Sequence, residues 1–533
     1  MNLNRILFLL LASSAVFAQV PRKPKLVVTI VVDQFRYDYL TRFRADYHGG
    51  LDRMLREGAV FTNARYGQAP TVTAVGHSIV TTGAMPSVTG IVGNAWIDRE
   101  SGRQVTSVCD DRYQVVGAET PKPGPRCSDW DPASPRRLLV GTVGDELKNR
   151  DGRSKVIGIS LKARSAILPS GHRADGAFWF DDKSGAFISS TFYFSELPSW
   201  VARFNALGLP REYVDKKWEG FGGWDFHAVP GSPRTYERIP ASPWGNELVE
   251  KLAEAAIDGE KLGQREATDL LAISFSSNDY VGHQTGPDAP EVRDMCIRTD
   301  RLLGRLFEVI GEKVGLENAL FVLTADHGVS PAPELQAERK MPGGYIHVGI
   351  EDIVRSALFK KFGAKDLVLG SVDNAIYLDY QALGAKNIEL AAACQAAAAA
   401  LLAVPQAHVA RVYTRDQLQQ GMAGDRIANA VLNGFYAARS GDVIVIFEPY
   451  WMPALWAGAK TTHFTPYNYD THVPVVFFGA GVRPGRYRAD IQVNDIAPTL
   501  SALIDVEPPA GAFGRVLTEV LNEHGIEQPS PAH

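Results

Sequence analysis

Asp33 follows the apolar run 25-KLVVTIVV. Asp279 and His283 follow 270-LLAISFSSN, and Asp326 and His327 follow 320-LFVLTA. Taken singly, each is an ordinary residue: an Asp beyond a strand caps a helix or closes a turn, and Asp279 with His283 makes a helical i,i+4 pair. Their recurrence carries more weight. In open α/β sheets ligands bind beyond the carboxyl ends of the strands, so separate runs deliver carboxylates to one edge. Carboxylates gathered there repel one another unless cations neutralise them. Oxygen and imidazole donors without cysteine suit Zn²⁺ in a catalytic site, or Mn²⁺, and the donors suffice for two ions. The stretch 463-HFTPYNYDTH-472 ahead of the run 474-PVVFFG adds His463 and His472.

Two ions ~3.5–4 Å apart can clamp the attacking and leaving oxygens of a displacement at phosphorus. Such a centre needs a nucleophile, and Thr73 in 70-PTVTAVGHSIV is the candidate. A metal lowers the pKa of a bound hydroxyl, and a helix opening at residue 73 would turn its N–H groups toward a phosphate. The plain alternative is a helix cap. Lys162 and Arg164, in 161-LKAR after the run 156-VIGIS, stand two apart on an extended segment and so face one side. They could charge-neutralise one phosphoryl group; a solvated basic turn is the alternative.

The elements that must position these residues are legible. The runs near 25, 156, 270, 320 and 474 are rich in Val, Ile, Leu and Phe and do not alternate with polar residues, as expected of parallel strands buried on both faces. Between them, Met295, Leu302, Leu306, Phe307 and Ile310 recur at helical spacing. The pattern predicts a doubly wound α/β fold with a mostly parallel central sheet and helices on both faces. Residues 334–440 differ in texture, with strand-like 344-GYIHVG and 375-AIYLDY and the alanine-rich 390-LAAACQAAAAALLAV. This segment reads as an inserted α+β cap that divides the core into 19–333 and 441–533. The loop 97–135, rich in Pro, Arg and Asp, reads as a second excursion.

Bulk properties exclude several classes. A chain of 533 residues with 45% hydrophobic and 22% charged residues and a net charge of -5 is globular, not a nucleic-acid binder. Residues 1–18, MNLNRILFLLLASSAVFA, read as a cleavable signal peptide for export to the periplasm or beyond. No later run reaches the ~20 apolar residues of a membrane span. In an oxidising compartment Cys109 and Cys127 could form a disulfide, whereas Cys296 and Cys394 fall in helix-like, buried stretches. With no CxxC, a thiolate metal site is not expected.

Together VVDQFRYDY, TVTAVGHS, GNAW, SLKAR, DYVGHQTGP, TADHG and NYDTHVPVVFFG resemble the alkaline phosphatase superfamily, above all its periplasmic, phosphate-insensitive monoesterases with a threonine nucleophile. The resemblance runs from Asp33 to about Pro498. It implies two Zn²⁺ ions, one on Asp279, His283 and His472, the other on Asp33, Asp326, His327 and Thr73. It implies that Asn94 donates to a phosphoryl oxygen and that Lys162 and Arg164 hold the others. His463 has no role in the matched pattern. The implied activity is hydrolysis of small phosphate monoesters with broad specificity through a phosphothreonine intermediate. A phosphodiesterase or nucleotide pyrophosphatase of the same superfamily is the nearest rival, and 161-LKAR is the feature that separates them. A sulfatase would need a Cys or Ser in a C/S-x-P-x-R context, which the Thr73 segment lacks. A secreted binding protein that has lost catalysis would not need the full donor set.

Overall fold

The computed structural model describes residues 23–119, 131–214, 216–218, 236–421, 424–454 and 459–521. The expected signal peptide therefore lies outside the described residues, as does Cys127. Cys109 is disulfide-bonded, and Cys296 and Cys394 are free and buried.

Five strands carry the site: β1 (Leu26–Val32), β2 (Val156–Ser160), β3 (Asp269–Phe275), β4 (Ala319–Thr324) and β5 (Val475–Gly479). They belong to a ten-stranded sheet in which β5, β4, β1, β3 and β2 are successive neighbours. The whole of β1, LVVTIVV, is buried, because helices cover both faces and leave no wet side to favour alternation. The long helix Pro290–Lys313 packs beside Pro243–Gly259 and Gly50–Glu57 in one helical layer. Thr73–Thr82, Val143–Arg150 and Ile496–Ile504 form the other.

β1 pairs in parallel with β4 and with β3, and β2 pairs in parallel with β3. Val31 lies opposite Thr324 and Val32 opposite Phe275, so these carboxyl ends finish level. The expectation of a parallel strand at 474 is wrong. β5 pairs antiparallel to β4, with Val475 opposite Thr324. Its sequence misled because burial on both faces, not strand direction, sets its composition. The reversal has a consequence: the start of β5, and hence the 463–472 segment, meets the carboxyl edge of β4.

A second, four-stranded sheet is built from Val368–Val372, Ala375–Leu378, Val443–Phe447 and Val409–Thr414, and it includes a strand beyond the expected limit at 440. Helices Ile350–Phe362 and Leu390–Leu402 pack with this sheet around a separate core that holds Val354, Leu358, Cys394 and Leu401. The alanine-rich run is thus a packed helix; its small side chains let that sheet approach closely.

Candidate metal centre and nucleophile

The chain turns at the end of β1, and Asp33 N donates to Phe275 O at 3.0 Å. Gln34 follows with a left-handed φ of 62°. Helix α1 (Thr73–Thr82) starts at Thr73, preceded by Val72 in extended conformation, so the expected helix N-terminus is there. Thr73 is not the N-cap. It is the first helical residue, 1% exposed. Its helix docks tightly: a Cβ on Gly76 would stand 2.1 Å from the Asp326 carbonyl oxygen. Lys162 precedes the short helix α2 (Ala163–Ile167) beyond β2, and Asp279 and His283 sit on α3 (Ser277–Thr285) beyond β3.

Asp33, Asp326 and His327 offer ligand atoms that lie within 4.8 Å of one another. His327 Nδ1 donates to Gly328 O at 2.9 Å. A carbonyl only accepts, so the proton is on Nδ1 and the Nε2 lone pair faces inward. Nε2 stands 3.4 Å from Asp33 Oδ1 and 3.4 Å from Asp326 Oδ2. Among the described residues no hydrogen bond satisfies any of these three buried atoms. Three acceptors facing one another with no donor between them are the donor set of a divalent cation, so the residues fit a metal.

A second group lies alongside. His283 Nε2 is 3.1 Å and His463 Nε2 is 3.6 Å from Asp279 Oδ1. His283 Nδ1 donates to Thr461 O and His463 Nδ1 to Thr71 O, both at 2.8 Å. All three histidines thus point Nε2 into the carboxylates and anchor Nδ1 on backbone, which is how a protein orients imidazole ligands. The His463 ring stacks on His327 at 3.5 Å between centroids, so the two groups adjoin.

His472 is not with them, contrary to the resemblance. Its Nε2 donates to Thr62 O at 3.1 Å, and its ring stacks on Tyr37 at 4.5 Å. The antiparallel entry into β5 is the reason. The chain crosses the carboxyl edge at 463 and by 472 has reached the strand Ala59–Arg65, to which His472 is bridged through Arg65. The residue set aside, His463, occupies the position expected of His472. The missed signal was the spacing: a donor well ahead of β5, not at its start, reaches the edge.

The electrostatics follow from crowding. Burial pushes Asp33 well above the usual carboxylate range, and repulsion from Asp279 and Asp326 adds to it. Burial likewise raises Asp326, to about 6. Burial acts to raise Asp279 too, but Lys162 and His283 outweigh it and hold this carboxyl well below its ordinary value. Lys162 Nζ lies 2.5 Å from Asp33 Oδ2 and 2.7 Å from Asp279 Oδ2. Despite burial, these carboxylates raise its pKa. Burial lowers His463, but the Asp279 carboxylate more than compensates and raises it above its ordinary value.

Thr73, Asn94, Lys162, Arg164, Asp279, His283 and His463 line one cleft of about 380 Å³. Asn94 Oδ1 accepts from Ala74 N at 2.8 Å. That contact fixes the amide orientation and leaves Nδ2 as the donor end. Sequence reasoning missed Gln34, which joins the two groups, and Asp373, an exposed carboxylate that lines the cleft. It also missed His77, whose Nδ1 donates to Thr73 O at 2.9 Å and whose Nε2 bonds Ser274 Oγ at 2.8 Å. Burial lowers His77 to about 4, so it stays neutral and braces α1.

Residues 27–469 match the family described as type I phosphodiesterase / nucleotide pyrophosphatase. The chain belongs to that family, within the alkaline phosphatase superfamily. Family relatives include alkaline phosphatase PhoV of Synechococcus elongatus, 38% identical over 95% of this chain and 94% of its own length. Alkaline phosphatase PafA of Elizabethkingia meningoseptica is 37% identical over 94% of this chain and 95% of its own. The crystal structure of wild-type PafA superposes with a TM-score of 0.86 at 36% identity, covering 94% of this chain and 100% of that one.

Proposed function

We propose that the chain is an exported alkaline phosphatase that hydrolyses small phosphate monoesters with broad specificity through a phosphothreonine intermediate, with two Zn²⁺ ions as cofactor. The observation that carries the reading is the common orientation of His283, His327 and His463, whose Nε2 atoms face Asp33, Asp279 and Asp326 beside Thr73. We assign Asp33, Asp326 and His327 to one ion and Asp279, His283 and His463 to the other, with Thr73 adjoining the first.

When bound, zinc would supply Lewis-acid stabilisation, lowering the pKa of the Thr73 hydroxyl and offsetting charge on the departing oxygen. The protein's own part is positioning and charge. The phosphoryl group sits over Thr73 Oγ1 with the N–H groups of α1 turned toward it. Asn94 Nδ2 donates to one oxygen, and Lys162 and Arg164 bring cationic donors to the others. Thr73 gives up its hydroxyl proton to solvent and Oγ1 attacks in line: its bond to phosphorus forms, the ester P–O bond breaks, and the departing alkoxide takes up a proton from solvent in turn. A water then attacks the phosphothreonine from the vacated side. The Thr73 O–P bond breaks, inorganic phosphate departs, and Thr73 regains its proton.

Both alkaline phosphatase relatives support the monoester reading. A solved variant of PafA replaces one threonine, one asparagine, one lysine and one arginine, the residue types of Thr73, Asn94, Lys162 and Arg164. The rival is a nucleotide pyrophosphatase/phosphodiesterase, the activity in the family's description. A murine member of that class superposes at TM-score 0.55 with 13% identity, a likeness of fold alone. Two cationic side chains in the cleft suit a dianionic monoester better than a diester. Export rests on residues 1–18 as a signal peptide. Among the described residues no helix is long and apolar enough to cross a membrane. We also read 334–440 as the cap and 19–333 with 441–533 as the core, the cap's sheet taking in Val443–Phe447 from the segment that follows. Rates for a matched mono- and diester, with zinc measured on the same sample, test the reading; a diester preference would overturn it.

A further inference from the structure

Gln34 touches both halves of the centre. Its backbone N–H donates to Asp326 Oδ1 at 3.1 Å, and its side-chain Nε2 donates to Asp279 Oδ1 at 2.7 Å. A carboxylate only accepts, so the amide orientation is fixed. Asp326 Oδ1 also accepts from His327 N at 3.0 Å, which turns the other oxygen, Oδ2, toward His327 Nε2. At Asp279 the Gln34 contact holds the oxygen that faces His283 and His463.

Two features show that this arrangement is built. Gln34 is 2% exposed and holds a φ of 62°, a strained backbone that a non-glycine residue keeps only where its surroundings enforce it. Its amide also lies against Gly282, one helical turn from Asp279 on α3. A Cβ on Gly282 would stand 1.9 Å from Gln34 Oε1. The helix therefore leaves a groove for this side chain on the face that carries the ligand.

We propose that Gln34 is a positioning residue that orients one carboxylate in each zinc half-site, Asp326 through its backbone and Asp279 through its side chain. The inference rests on the two-zinc reading above. It separates the half-sites, because only the side-chain contact can be removed by substitution. Gln34→Gly keeps the left-handed turn, which suits glycine, and keeps the N–H on Asp326. Gln34→Met keeps most of the side-chain bulk and removes the donor.

The test is zinc affinity, measured by competition with a chromophoric chelator on the purified full chain, with zinc counted at each step. Lost partners of ligands typically cost 10–100-fold in metal affinity. Both variants should bind one zinc about 10–100-fold more weakly than wild type and leave the other unchanged. Wild-type affinity for both ions in both variants, or equal weakening of the two, overturns the proposal. If wild type itself fails to hold two ions, the two-zinc reading falls and takes this inference with it. The wild-type control therefore tells the two failures apart.

Discussion

His463 Nε2 stands 3.6 Å from Asp279 Oδ1 while its Nδ1 is tied to the Thr71 carbonyl. That orientation, and not proximity alone, makes it a ligand candidate: the free lone pair faces the carboxylate. His472, whose Nε2 donates to Thr62, has that nitrogen occupied. His463→Ala should lose one zinc per chain and at least about 100-fold in activity, because a direct ligand matters more than its partners. His472→Ala should keep both ions. Metal analysis of the two variants side by side checks this, and the opposite pattern would restore His472 to the site.

Thr73 opens α1 in the cleft with Asn94, Lys162 and Arg164. Removing a nucleophile leaves only binding and charge stabilisation. Thr73→Ala, assayed on an aryl phosphate at saturating zinc, should fall by more than about a thousandfold and should form no phosphoprotein. Turnover near wild type would be incompatible with the proposed mechanism.

Lys162 and Arg164 line the cleft from one short segment after β2. A monoester dianion carries one more charge than a diester, and charge-assisted bonds are about twice as strong as neutral ones. Replacing both by alanine should reduce kcat/KM for a monoester at least about tenfold more than for a diester. Equal losses would remove their assigned role.

Asp326 is raised by burial from 3.8 to about 6. Between those values the folded chain holds a proton that the unfolded chain has released. Its contribution to stability is therefore present at low pH and is lost as pH rises through about 6. A cation on the ionised carboxylates reverses the loss. The rise in Tm caused by zinc, relative to chelator-treated protein, should thus grow from about pH 5 to about pH 7. Thermal unfolding at both pH values checks it; a constant increment would contradict the coupling.

Gly76 lies inside α1, where alanine would ordinarily gain about 1 kcal/mol. Here its Cβ would meet the Asp326 backbone at 2.1 Å. Overpacking against backbone costs about 1–3 kcal/mol, so the clash wins. Gly76→Ala should lower stability by up to about 2 kcal/mol and reduce kcat as Thr73 and Asp326 are pushed apart. Denaturant unfolding with kinetics on the same sample reads both effects.

The sequence by itself determined the buried strands, the carboxylates beyond them and the helix opening at Thr73. Each is a local matter: composition reports burial on both faces, and a residue just past a strand must lie at that strand's end. It did not determine the direction of β5, because a strand buried on both faces has the same composition in either sense. Direction is set by pairing, here Val475 opposite Thr324. From that pairing follow the path of 463–472 across the edge and the choice of His463 over His472. Gln34 shows the same limit. Its importance comes from contacts with Asp279 and Asp326, hundreds of residues away along the chain, and only the folded sheet brings them within reach.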